Sequence, residues 1–141
     1  MSTRKRDEIL VRDIMLSLTR FPVVGESVFL KEALEEMGRF RLGIACIVGD
    51  DEKLQGILTD GDIRRMLLKV QKPFSAFFVD DVLDHAVLEP LTVSCSDTLR
   101  HAVKLMGDKQ VWDLPVVDAD GRLNGLLHLH PALDVLLSDN H

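Results

Sequence analysis

The chain is poor in the residues that carry covalent scaffolds and membrane spans. Among 141 residues there are two cysteines, Cys46 and Cys95. They stand far apart, neither lies in a CxxC, and each sits in or beside an apolar stretch. That pattern argues for free thiols and against a disulfide framework or a zinc site. No apolar run reaches the ~18 residues that a spanning helix needs. The N-terminus mixes Arg with Asp and Glu and does not read as a signal peptide, so a cytoplasmic protein is expected. Positive charge is also scarce. Seventeen Lys and Arg face 23 Asp and Glu, a net charge of −6, which disfavours a general nucleic-acid-binding surface. The one short basic run, Arg4-Lys5-Arg6, reads as a solvated end. Catalytic signatures are missing too: there is no Ser-His-Asp set, P-loop or HExxH. The paired acids Asp50-Asp51, Asp80-Asp81 and Asp118/Asp120 fall in turns and linkers, where carboxylates are ordinarily solvated.

What is present is a core-forming composition, 46% hydrophobic and 28% charged, and an internal repeat. Leu30-Lys31-Glu32-Ala33-Leu34-Glu35-Glu36-Met37-Gly38 matches Leu99-Arg100-His101-Ala102-Val103-Lys104-Leu105-Met106-Gly107 at an offset of 69. Without a gap, the same offset brings Val24 onto Val93, Ser27 onto Ser96, Ile47-Val48 onto Val116-Val117, and Leu54-Gln55-Gly56-Ile57-Leu58 onto Leu123-Asn124-Gly125-Leu126-Leu127. Leu30, Ala33, Leu34 and Met37 define one helix face, and Leu99, Ala102, Val103 and Met106 repeat it. Ser27, and Ser96 or Asp97, are the N-cap candidates. Ile44 to Val48 and Leu54 to Thr59 read as strands around a turn at 49–53. Leu114 to Val117 and Arg122 to His128 are their copies around Asp118 to Gly121. A short strand at Val23-Val24 or Thr92-Val93 precedes each first helix. Closing helices carry Ile63, Met66, Leu67 and Val70, then Leu133, Leu136 and Leu137.

Each half is therefore βαββα. One unit is small for an independent core, so the two are expected to pack as one pseudo-twofold α/β (α+β) domain. The expected layout is an N-terminal extension 1–10, repeats 11–70 and 79–137, a linker 71–78 and a tail 138–141. The connector from Gln71 to Pro90 is apolar at Phe74, Phe77, Phe78, Val79, Val82 and Leu83, and is expected to pack against the fold.

The most polar unexplained string is Gly56-Ile57-Leu58-Thr59-Asp60-Gly61-Asp62-Ile63-Arg64-Arg65, at a strand-to-helix junction. Free N–H groups there attract anions. The Thr59 hydroxyl suits a phosphate, and Asp62 suits the two hydroxyls of a ribose. Gly61 removes a side chain where a ligand approaches, and Arg64 and Arg65 offer charge to a phosphate. Thr59-x-x-Asp62 is equally a capping box, and the two arginines equally a solvated helix face. In the second copy Thr59 becomes His128 and Asp62 becomes Pro131. The carboxylate is lost, so one competent site is expected. His128 and His130 lack further ligands for a metal, and no metal is expected.

Repeated βαββα units with Gly-h-h-Thr-x-x-Asp closing the second strand resemble the CBS domain pair, or Bateman module, over residues 8–137. The Gly56–Arg65 string and Gly125-Leu126-Leu127-His128-Leu129-His130 are similar to the CBS tail of bacterial arabinose-5-phosphate isomerases, and to CBS segments joined to sugar nucleotidyltransferases. The resemblance implies a non-catalytic sensor with no required cofactor. Its ligand would be AMP, ADP, ATP or another (sugar-)nucleotide held between the repeats. Thr59 and Asp62 would be the polar contacts, with Gly61 and Arg64 beside them, and Val23, Val24, Gly43 and Ile44 would line the base. It further implies a homodimer and an effector enzyme acting in trans. A ligand-free dimerisation or scaffold domain is the alternative. Ten residues precede Val11, so the isomerase domain is expected to be absent.

Overall fold

The computed structural model describes residues 9–138; the basic run at 4–6 lies outside them. In chain order the elements are α1 (Val11–Ile14), β1 (Val23–Gly25), α2 (Leu30–Phe40), β2 (Ile44–Val48), β3 (Leu54–Thr59) and α3 (Asp60–Lys69). Two 3-10 turns follow at Phe74–Val79 and Val82–Asp84. Then come α4 (Leu99–Lys109), β4 (Asp113–Val117), β5 (Leu123–His128) and α5 (Leu129–Ser138). The chain divides into two compact units, Leu18–Pro90 and Met1–Ser17 with Leu91–His141. The unit boundaries thus differ from the repeat boundaries: residues 11–17 of the first repeat and 79–90 of the second each belong to the other repeat's unit.

In the Leu18–Pro90 unit, β1 runs parallel to β2 and β2 antiparallel to β3. The helix face anticipated from spacing is buried: Leu30 and Ala33 are fully covered, and Met37 nearly so. They pack with Ala45, Ile47 and Leu58 of the sheet and with Phe77 and Val82 of the connector, so the connector does pack. It is also clasped internally. The Asp80 carboxylate accepts from Lys72 Nζ at 2.8 and 2.9 Å and contacts His85 Nε2 at 2.7 Å, while the same ammonium lies 4.8 Å from the Phe77 ring centroid.

The other unit repeats this plan with one strand fewer. β4 and β5 are antiparallel, and Val93 makes only an isolated bridge to Val116. The expected strand at Thr92-Val93 is therefore cut short. The cause is Pro115, which stands where the first copy has Cys46. Cys46 N–H donates to the Pro22 carbonyl at 2.9 Å; a proline has no N–H to give.

The expected N-caps are also corrected. α2 starts after Phe29 rather than Ser27, and α4 after Thr98 rather than Ser96 or Asp97. Thr98 Oγ1 accepts from His101 N–H at 3.1 Å. Phe29 supplies no side-chain cap. The first N–H groups are met instead by neighbouring backbone: Leu30 N–H donates to the Asp80 carbonyl at 2.8 Å, and Leu99 N–H to the Ile9 carbonyl at 2.7 Å. With the orphan donor already satisfied, no Ser is required.

These contacts reveal a second level of repetition. Leu10 bridges Thr98 as Asp81 bridges Phe29, and Leu16 bridges Leu126 as Val87 bridges Ile57. Segment 9–16 is thus the counterpart of 80–87, at an offset two residues longer than the main repeat. Val11 and Val82 are the fully buried anchors of the two segments. Gly56 and Gly125 admit them: a Cβ on Gly125 would stand 2.7 Å from the Leu16 carbonyl oxygen, and one on Gly56 2.8 Å from that of Val87.

Gly125→Ala is accordingly expected to lower stability by about 1–3 kcal/mol in urea denaturation. Gly107→Ala, where an added Cβ meets nothing within 4 Å on a helix, should be neutral or gain up to ~1 kcal/mol. Lys72 and His85 hold the Asp80 carboxyl below its ordinary value of 3.8. A lowered carboxylate contributes stability above that value and loses it as pH falls through the folded value. The stability gap between wild type and Asp80→Asn should therefore be open above pH 3.8 and close on acidification below it, as followed by denaturation across pH.

Candidate functional site

The polar string is assembled at the junction of β3 and α3. β3 ends at Thr59, whose backbone is extended, and the chain turns into α3 at Asp60. Ile44 and Thr59 are cross-strand partners, and Asp60 N–H donates to the Gly43 carbonyl at 3.0 Å. Gly43, Ile44, Thr59, Gly61 and Asp62 are thereby brought together. A Cβ on Gly43 would fall 2.6 Å from Asp60 Oδ2, so the absence of a side chain there seats the Asp60 carboxylate. Val23 pairs with Cys46 on the neighbouring strand and is half-buried, whereas the Val24 side chain is part of the hydrophobic core. That leaves Val24 only its backbone to offer a ligand.

Thr59 and Asp62 form a reciprocal capping box. Asp62 N–H donates to Thr59 Oγ1 at 3.3 Å, while Asp62 Oδ2 accepts from Thr59 N–H at 2.9 Å and Thr59 Oγ1–H at 2.8 Å. The other oxygen, Oδ1, accepts from Arg65 Nη2 at 2.7 Å. The Asp62 side chain is 9% exposed and that of Arg65 54%. Arg65, rather than Arg64, closes on the site because positions three apart share a helix face and positions two apart do not; Arg64 is exposed to solvent. Asp60 and Arg65 thus also stand at the candidate site. The i,i+3 spacing of Asp62 and Arg65 was the available signal.

The second copy fills the corresponding positions differently. Asp113 and His128 are cross-strand partners where the first copy has Ile44 and Thr59. Their side chains meet, with His128 Nδ1 2.7 Å from Asp113 Oδ1. The Asp113 side chain is 10% exposed, and burial pushes its carboxyl above the ordinary carboxylate range against the opposing pull of the His128 contact. Pro131 lies in the first turn of α5, which carries no acid. His130 turns to Asp134 at 3.5 Å, so the two histidines share no partner. Trp112 replaces Gly43 and is 71% exposed. Among the described residues no group of three or more His, Cys, Asp or Glu converges as a metal site, and no helix is long and apolar enough to cross a membrane.

The CBS domain family model matches residues 11–69 and 79–130. The arabinose 5-phosphate isomerase KdsD of Pseudomonas aeruginosa is 35% identical over 126 residues, which cover 87% of this chain and 36% of that protein. An uncharacterized protein of Helicobacter pylori strain J99 is 34% identical over 128 residues, covering 90% and 37%. The chain thus spans well under half the length of these curated relatives. Among solved structures, CBSX2 in complex with AMP superposes with a TM-score of 0.81 at 28% identity, covering 94% of this chain and 99% of that one. A CBS domain-containing protein of unknown function from Bacillus anthracis reaches 0.82 at 20% identity, covering 94% and 95%.

Thr59→Ala removes the cap and leaves Asp62 without the hydroxyl donor. It is expected to cost about 0.5–2 kcal/mol in chemical denaturation, while Thr59→Ser should keep most of that stability.

Proposed function

Because the chain belongs to the CBS domain family, we propose that it is a non-catalytic, ligand-sensing regulatory module whose first repeat takes a nucleotide at the β3–α3 junction. One observation carries this reading: a hydroxyl, a carboxylate and the N-terminal N–H groups of α3 converge at Thr59–Asp62, in a chain 28% identical to a structure solved with AMP. The positive end of α3, and the Thr59 hydroxyl once it turns from Asp62 to the ligand, serve the phosphate. Asp62 serves the ribose, and Gly43, Ile44 and Val23 lie beside it for the base. Arg64 adds positive charge at the helix surface. The second copy, with Asp113 bonded to His128 and Pro131 in place of the carboxylate, takes no nucleotide in the same way.

Regulation follows if the ligand favours one of two conformations of a partner. The isomerase relatives make an enzyme of sugar phosphates one class of effector, joined to the module or acting in trans. A second reading, a dimerisation or scaffold domain, is favoured by the apolar side chains that α3 and the connector leave exposed: Leu68 at 78%, Phe74 at 62% and Val79 at 68%. The expected assembly is a homodimer in a cytoplasmic setting.

Calorimetry with AMP, ADP, ATP, CMP and S-adenosylmethionine tests the first reading. Binding of at least one, weakened by about tenfold or more in Asp62→Ala as a charge-assisted contact is lost, is the expected result. A stable dimer by gel filtration that is indifferent to every nucleotide would favour the scaffold instead. Equal binding by Asp62→Ala and wild type would remove the site assignment.

A further inference from the structure

Asp62 carries three hydrogen bonds before any ligand arrives. Oδ2 is committed to the Thr59 N–H and hydroxyl. Oδ1, the oxygen not tied into the cap, is held by Arg65 at 2.7 Å. One acceptor site then remains on Oδ1, so a ribose diol that donates two hydrogen bonds takes the second only by displacing the guanidinium.

The seat of that guanidinium is specific. It lies across the first turn of α3, above Gly61, where an added Cβ would stand 3.2 Å from Nη1 and 3.4 Å from Nη2. A side chain there would crowd the guanidinium by a few tenths of an ångström. The location is electrostatically awkward, since a cation there faces the positive end of the helix. The partner holding it is a single carboxylate, and the guanidinium itself is 54% exposed, so water competes for it and the pair is readily exchanged. The same turn already carries two acids, Asp60 and Asp62. A phosphate arriving at the α3 N-terminus meets both, and needs a cation within reach to balance them.

We propose that Arg65 is an exchangeable counter-ion that makes the site select for phosphate. The guanidinium leaves Asp62 for the phosphate of an incoming nucleotide, and its departure frees Oδ1 for the ribose. A nucleoside lacking phosphate gives Arg65 nothing to move to, so it must compete with the ion pair for Asp62. The second copy is consistent with this role: where the carboxylate becomes Pro131, the position of Arg65 is occupied by Asp134, an acid that pairs with His130. The proposal rests on the nucleotide reading of the Thr59–Asp62 junction.

The test is calorimetry of wild type and Arg65→Met with two matched pairs, AMP with adenosine and CMP with cytidine, after melting curves confirm folding. In wild type the nucleotide is expected to bind more tightly than its nucleoside. Arg65→Met should reduce that preference by about tenfold or more, the scale of a charge-assisted contact, and the nucleoside should bind more tightly than it does to wild type. Tightening is the decisive readout, because a merely structural loss weakens both ligands. An unchanged preference in Arg65→Met, or parallel weakening of both ligands, overturns the exchange while leaving nucleotide binding intact. Failure of wild type to bind either pair overturns the exchange, and failure to bind ADP and ATP as well overturns the nucleotide reading.

Discussion

Two short segments supply backbone partners that a βαββ unit cannot provide for itself. The first turn of α2 and the outer edge of β3 expose unpaired N–H and C=O groups, as do α4 and β5. Residues 80–87 close the first set and residues 9–16 the second. Leu30 donates to Asp80, and Ile57 exchanges both hydrogen bonds with Val87; Leu99 donates to Ile9, and Leu126 exchanges both with Leu16. An uncovered sheet edge invites pairing with other chains, and a buried helix end without partners costs free energy. Val11 and Val82 then add the apolar anchor of each segment. The remaining features follow from this closure: the glycines at 56 and 125, the dispensable N-cap at Phe29 and the packed connector.

Closure leaves the opposite ends of β3 and β5, where each strand runs into a helix, open to divergence. In the first copy a capping box and an ion pair keep Thr59, Asp62 and Arg65 preorganised around one carboxylate. In the second, a cross-strand imidazole and carboxylate satisfy each other. A buried carboxyl needs a partner to be tolerated, and His128 is what makes Asp113 admissible where the first copy has Ile44. The two junctions occupy equivalent places and differ in chemistry: one presents a hydroxyl and an Asp62–Arg65 ion pair, the other an imidazole–carboxylate pair. A capping box and a ligand site are not competing descriptions of Thr59 and Asp62. The cap fixes the geometry that a ligand would use.

Most of the fold was legible because burial writes itself into sequence as periodicity. The Leu30–Met37 and Leu99–Met106 faces, the β2 and β3 strands and the strand-to-helix junction all follow from spacing that repeats at 69. Features in which a residue's partner is distant are not legible in this way. Segment 9–16 matches 80–87 only after a two-residue shift and with different side chains, because the contact is backbone to backbone and is nearly blind to side-chain identity. The shortened strand at Val93 depends on the N–H that Pro115 lacks, opposite it on β4. Ser27 looked like a cap because its type favours that role, but the Asp80 carbonyl had already met the donor.

The sequence by itself determined the repeat, the helix and strand order, the core faces and the asymmetry between Thr59/Asp62 and His128/Pro131. Each is a matter of residue type at local spacing. Tertiary structure alone decided which segment closes which unit, that Arg65 rather than Arg64 faces Asp62, and that His128 is matched to Asp113 fifteen residues away. The physical reason is that hydrogen bonds and ion pairs depend on where atoms meet in space. A linear pattern records only which residues are able to meet.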